Sequence, residues 1–250
     1  MAGHSKWANI KHKKAAADAV KGRVFSKIAK EIMVAARQGG DPGANISLRA
    51  LIQKARGVNM PADNIDRAIK KGTGELEGVI LEEIIYEGYA PGGVSIIVQS
   101  LSDNKNRTAS EVRHCFTKHS GSLAGAGSVM RGFKRRGRFI LAASGVSEDK
   151  LLEVALDAGA DDVQRDGDYF EVVSEPNQFG AISDALAAAG LKTESAEITM
   201  IPDNYLPVSD RAQAVQLLKF IEALEELDDV QNVYANFDIP DNLLEDAAKG

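Results

Sequence analysis

The sequence predicts an α+β, multidomain fold: an N-terminal three-helix bundle followed by two α/β, ferredoxin-like domains, the second inserted into the first. Three observations carry this expectation. Apolar residues recur at helical spacing up to Gly72 and in short strand-like runs after it. A complete β-α-β-β-α-β series, the split βαβ arrangement, lies between Arg138 and Ile201. On either side of that series stand two incomplete sets of elements that complete one another only as one unit.

The helices come first. From about Asp18 to Gln38, Val24, Phe25, Ile28, Ile32 and Ala35 share a face, and Gly39-Gly40-Asp41-Pro42-Gly43 ends the run. A second helix, about Ser47 to Val58, turns Leu48, Leu51, Ile52 and Ala55 inward. A third follows Pro61, a residue suited to a helix start, with Ile65, Ala68 and Ile69 inside and Gly72 as its stop. After Gly72-Thr73-Gly74, Ile- and Val-rich runs at Val79 to Glu87 and Gly93 to Leu101 read as strands joined by Tyr89-Ala90-Pro91-Gly92. Thr108-Ala109-Ser110-Glu111 has capping-box spacing and opens a helix with Val112, Cys115 and Phe116 inward. Gly121 to Gly127 reads as a loop.

The inserted series runs from a strand at Arg138 to Ala143 through a Ser-capped helix at Ser147 to Ala158 and a strand at Asp162 to Arg165. Asp166-Gly167 is a favoured two-residue hairpin turn into a strand at Tyr169 to Val173. A helix at Gln178 to Ala189, stopped by Gly190, and a strand at Ala196 to Ile201 close it. Ser209 then caps a long helix with Ala214, Leu217, Leu218, Ile221 and Leu224 inward, and Val230 to Phe237 is one more strand. These two elements have no partners left in the inserted series, while Val79 to Lys118 lacks a helix and a strand. The expected domains are therefore residues 1–76, a discontinuous unit of 77–132 with 208–250, and an insertion at 133–207.

Charge is segregated along the chain beneath a net value of −6. Met1 to Lys71 holds 15 Lys+Arg against 5 Asp+Glu, whereas Phe139 to Gly250 holds 6 against 24. So basic a small domain repels itself, and a polyanion or an acidic surface of the same chain relieves that cost. On the first helix Arg23, Lys27, Lys30 and Arg37 fall within an arc of about 80° at 100° per residue, which makes one stripe. The arm before it carries Lys6, Trp7, Lys11, His12, Lys13 and Lys14; its lysines suit phosphates, and its tryptophan suits either a stacked base or an anchoring role. Arg67, Lys70 and Lys71 close the third helix, where cations also favour the dipole. A second basic block, Lys105, Arg107, Arg113, Lys134, Arg135 and Arg136, follows the first strands.

Enzymatic chemistry finds no support. Gly72-Thr73-Gly74 lacks dinucleotide-loop spacing, and Gly127 with Gly132 has the glycines of a phosphate loop but Phe133-Lys134 where Lys and Ser or Thr are required. Cys115, His114 and His119 are too few for zinc, so we expect no metal, no cofactor and no small-molecule substrate. One cysteine forms no internal disulfide, and no stretch approaches the roughly 20 apolar residues of a membrane span, so a cytoplasmic protein is expected.

Several motifs together resemble the YebC/PmpR family, which includes the mitochondrial translational activator of cytochrome c oxidase. They are Ala2-Gly3-His4-Ser5-Lys6-Trp7-Ala8-Asn9-Ile10-Lys11-His12-Lys13, Asn59-Met60-Pro61 through Arg67-Ala68-Ile69-Lys70-Lys71-Gly72, and Tyr86-Glu87-Gly88-Tyr89-Ala90-Pro91-Gly92-Gly93. Asp103-Asn104-Lys105-Asn106-Arg107-Thr108 and Leu227-Asp228-Asp229-Val230-Gln231-Asn232-Val233-Tyr234 complete the set. Because the opening motif begins at Ala2, a bacterial member is expected. The resemblance implies a helical bundle with two α/β units and a DNA-binding transcriptional regulator. The alternative it implies is a ribosome-associated translation factor that binds ribosomal RNA and relieves stalling at proline-rich stretches. An acidic protein-protein adaptor is the third reading, from charge alone.

Overall fold

The computed structural model describes residues 18–240 and 242–244. The bundle consists of α1 (Asp18–Ala36), α2 (Ile46–Gly57) and α3 (Ala62–Thr73). Its core is Ile28, Ile32, Met33, Leu48, Ile52, Ile65 and Ala68, largely the positions that helical spacing marks. Asn45 joins two helices: its side-chain oxygen accepts from the Leu48 N–H at 3.0 Å, while its amide donates to the carbonyls of Ala35 and Gly39 at 2.9 Å each. α3 lies so close to α1 that a Cβ on Gly72 would stand 2.7 Å from that of Ala36.

Beyond the bundle the chain forms β1 (Glu82–Tyr89), β2 (Ser95–Ser102), α4 (Lys105–Lys118), β3 (Ser122–Leu123), β4 (Phe133–Ala142), α5 (Glu148–Asp157), β5 (Asp162–Asp166) and β6 (Tyr169–Ser174). It continues through α6 (Phe179–Ala188), β7 (Ser195–Pro202), β8 (Leu206–Pro207), α7 (Arg211–Glu225), β9 (Val230–Ala235) and β10 (Phe237–Asp238). One sheet has the order β3-β1-β2-β9 and the other β5-β6-β4-β7, both antiparallel; β8 and β10 form a short parallel pair. The chain thus leaves the first sheet after β3, builds the second, and returns for α7 and β9.

On the first sheet, α4 and α7 bury Ile96, Val98, Val112, Phe116, Leu217, Phe220 and Leu224. The rings of Phe116 and Phe220 meet edge to face at 4.9 Å. On the second, α5 and α6 bury Phe139, Leu141, Leu151, Phe170, Val172, Ile182 and Leu186. A small apolar cluster joins the sheets: Ile97, Val129 and Phe133 are buried there, with Tyr89, Met130, Met200 and Tyr234 packed around them.

Several local expectations are corrected. α4 begins at Lys105, because Asn104 accepts from the Arg107 N–H at 3.1 Å and starts the helix three residues before the expected capping box. Asp210, not Ser209, caps α7 by accepting from the Gln213 N–H at 2.7 Å. β4 starts at Phe133, so the cations Lys134 to Arg136 stand in a strand; a run of charged residues gives no apolar alternation to read. Part of the glycine-rich segment is strand β3. The hairpin between β5 and β6 turns one residue later than expected, through Gly167 (φ 56°) and Asp168, because Asp166 pairs with Tyr169.

Candidate nucleic-acid interface

The α1 stripe faces the chain's own acidic half. Arg23 lies 3.6 Å from the Glu226 carboxylate, and the Lys27 ammonium donates to the Glu225 carbonyl at 2.6 Å. Lys30 donates to the Asp228 carbonyl at 3.0 Å and to Asp229 at 3.1 Å. Arg37 donates to the Leu81 carbonyl at 2.9 Å. Three of the four stripe cations therefore converge on residues 225–229, the turn between α7 and β9. The spacing on one helix face was legible from sequence; the partner was not, because about two hundred residues separate them.

The turn is built around Asp229, whose side chain is 4% exposed. Its carboxylate accepts from Ser102 at 2.9 Å, Thr108 at 2.8 Å, Lys30 at 3.1 Å and Arg107 at 2.7 and 3.2 Å. Arg107 also reaches Asp103 at 2.9 Å. Burial alone would raise the Asp229 pKa; the donors from Arg107, Thr108, Ser102 and Lys30 outweigh it and hold the pKa down at about 2. Two sequence motifs far apart in the chain, 103–108 and 227–230, thus meet at one carboxylate.

The second basic block is largely engaged within the chain. Lys105 pairs with Glu82 at 2.5 Å, Arg107 with Asp229, Lys134 with Asp203 at 2.8 Å, and Arg136 with Glu175 and Asp161. Arg113 and Arg135 make no ion pair among the described residues, and both are exposed. Arg138, next in the strand, is buried and donates to Glu197 at 2.6 Å, so it is structural.

On the bundle, Arg67, Lys70 and Lys71 are exposed on α3 and make no ion pair among the described residues. So are Arg49 and Arg56 of α2, which lie seven residues apart on its outer face; the i, i+7 spacing was the available signal for this pair. Arg67 and Lys71 flank an open groove of about 190 Å³ whose floor includes Phe25, Met33 and Met60. Lys6, Trp7, Lys11, His12, Lys13 and Lys14 lie outside the described residues.

Glu87 is a further organising group. Buried on β1, it accepts from the backbone N–H groups of Gly127, Val129 and Met130 at 2.5, 2.6 and 2.8 Å. Burial works to raise its pKa, and the three donors overcome that and lower it. It ties the segment leading into β4 to the first sheet, and so sets the direction in which β4 departs.

Among the described residues no group of three or more His, Cys, Asp or Glu is placed to hold a metal, and no helix is long and apolar enough to cross a membrane. Cys115 is buried, and burial pushes its thiol up to about 11.

A basic helical bundle latched to a two-sheet α/β body matches two family models: the TACO1/YebC protein N-terminal domain over residues 5–75, and the TACO1/YebC second and third domain over residues 81–237. The chain belongs to the TACO1/YebC family. It is 54% identical to a "Probable transcriptional regulatory protein" of Syntrophobacter fumaroxidans, across 98% of this chain and 99% of the relative. It is 55% identical to one so named from Trichlorobacter lovleyi, across 96% of each. The crystal structure of a conserved hypothetical protein from Aquifex aeolicus, 48% identical, superposes with a TM-score of 0.80 over 90% of this chain and 93% of that one.

Proposed function

We propose that this chain is a non-enzymatic regulatory protein of the cytoplasm that binds nucleic acid, duplex DNA in the first place, through its bundle and N-terminal arm. The carrying observation is the set of exposed cations Arg49, Arg56, Arg67, Lys70 and Lys71, without ion pairs among the described residues, on a bundle whose residues 1–71 have a threefold excess of basic over acidic groups. A charged helix face is often only solvated, but most of the second basic block is paired within the chain, whereas these five cations make no ion pair among the described residues. The names of the relatives support a role in transcription. No metal, cofactor or small-molecule substrate enters this reading.

Binding of this kind draws its energy from counterion release. The logarithm of affinity for duplex DNA should fall with the logarithm of salt by about 0.9 per phosphate neutralised, and removing Lys70 and Lys71 together should lower that slope by roughly two. Tight binding indifferent to salt, or no binding to any nucleic acid, defeats the proposal; the second result favours the acidic adaptor. Phosphate contacts carry no sequence information, so the same titration is run with ribosomal RNA. Preference for it, with cosedimentation on ribosomes translating proline-rich messages, selects the translation factor over the DNA regulator.

A further inference from the structure

We propose that the α7–β9 turn, residues 225–229, is a built-in competitor that occupies the phosphate-binding stripe of α1, and that a polyanion binds the stripe by displacing it. This rests on the reading of the bundle as a nucleic-acid module and adds its regulation.

The turn presents acceptors to the cations that phosphates would otherwise meet: two carboxylates and two backbone carbonyls within reach of one helix face. α7 ends there, so the carbonyls of its last turn carry the negative end of the helix dipole, and Lys27 sits on one of them, that of Glu225. Glu226 and Asp229 add carboxylates opposite Arg23 and Lys30. Arg23, Lys27 and Lys30, four and three residues apart along α1, thus meet acceptors of Glu226, Glu225 and Asp228 with Asp229, and phosphates drawn to the same three cations need the space that the turn fills.

The interface has the chemistry of a reversible contact. The core of the bundle reaches no further along the chain than Leu81, and the core of the first sheet contains no bundle residue. Across the contact stand ion pairs and charged hydrogen bonds, which added salt and competing anions weaken. α2 lies beside β7, and among the described residues of the bundle Ala50 alone packs against the core of the second sheet. The two sheets, by contrast, are joined by the apolar cluster of Ile97, Val129 and Phe133, which a polyanion leaves untouched. Exposed residues 74–80, with Gly74 and Gly78, connect the bundle to β1 and supply the joint. A small polar interface of this type leaves relative motion as the default.

The test compares the full chain with Glu226→Lys, which sets a like charge before Arg23, and with Asp229→Asn combined with Arg107→Gln, which removes a charge from Lys30 without freeing the Arg107 cation. Glu153→Lys, on the exposed face of α5, matches the charge change of the first variant at a distance from the stripe. Duplex DNA affinity is measured by anisotropy at low salt, and the radius of gyration by small-angle scattering without ligand. Both turn variants should bind roughly three- to tenfold more tightly than the Glu153→Lys control or the parent, and should be more expanded. Turn variants that stay as compact as the parent and bind no better than the control overturn the competition. Expansion with no gain in affinity overturns it too, because opening would then expose nothing that DNA uses. If parent and variants alike bind no polyanion, the nucleic-acid reading of the bundle falls first and the competition falls with it.

Discussion

The Arg107 guanidinium grips Asp229 through two nitrogens, Nη2 at 2.7 Å and Nε at 3.2 Å, and so ties the first turn of α4 to the start of β9. Lys30 of the bundle reaches the other oxygen of the same carboxylate. One buried charge therefore holds together α1, α4 and β9, and its contacts with Arg107 and Lys30 draw their strength from that charge.

Acid should release this junction. The folded pKa of Asp229, about 2, lies below the ordinary carboxylate value, so the group stabilises the fold above about pH 4 and that contribution is lost as pH falls towards 2. Its size is about 2 kcal/mol. Asp229→Asn should lower stability by that order at pH 7 and by much less near pH 2.5, measured by urea unfolding at both values. An equal loss at both pH values would mean that shape, not charge, makes the junction.

Gly88 has a steric reason to be glycine. A Cβ there would fall 2.5 Å from the Ser122 carbonyl oxygen and still closer to the Phe116 ring, both fixed by the β1–β3 pairing and the core. Gly88→Ala should cost about 3 kcal/mol by overpacking. Gly132→Ala, where nothing stands within 4 Å, is the matched control and should cost within about 0.5 kcal/mol. Thermal unfolding of the two variants side by side decides it.

Cys115 should be inert in the folded protein. With its thiol pushed up to about 11 by burial, thiolate is scarce at pH 8 and the sulfur is screened by the α4–α7 core. Alkylation followed by mass spectrometry should show modification only at the rate of unfolding, and full modification in denaturant. Rapid labelling under native conditions would show that α4 opens locally.

Much of the fold was legible because its helices bury one face each. Ile28, Ile32, Leu48, Ile52, Ile65 and Ala68 fall where the spacing puts them. Strand β4 was misplaced at its start because Lys134, Arg135 and Arg136 carry no apolar alternation. The stripe on α1 was legible as a stripe, yet its neighbours Glu226 and Asp229 were not, since helical periodicity fixes which residues share a face and says nothing of what that face meets. Glu87 was hidden for the same reason: a carboxylate in a strand looks solvent-facing until three backbone donors are seen around it.

The topology carries a last prediction, that the second sheet is an excisable insertion. β4 and β7 pair along their length, and Phe133 stands opposite Pro202, so the chain enters and leaves the insertion one strand spacing apart, about 5 Å. A break at these points needs only a turn: replacing residues 134–201 by a short Gly/Ser loop closes the gap without stretching the backbone. Cutting instead at Arg138 would keep half of β4 with no partner strand. The remaining chain retains β3-β1-β2-β9, α4 and α7 with their whole core, since none of those buried residues comes from 134–201. It loses Met200 from the cluster at Ile97 and Phe133, and that exposed apolar patch should lower stability and solubility without abolishing the fold. The shortened chain should unfold in one cooperative transition and keep the duplex DNA affinity of the parent, because Arg49, Arg56, Arg67, Lys70 and Lys71 are all retained. Loss of cooperative unfolding would show instead that the two sheets fold as one unit through the cluster around Phe133.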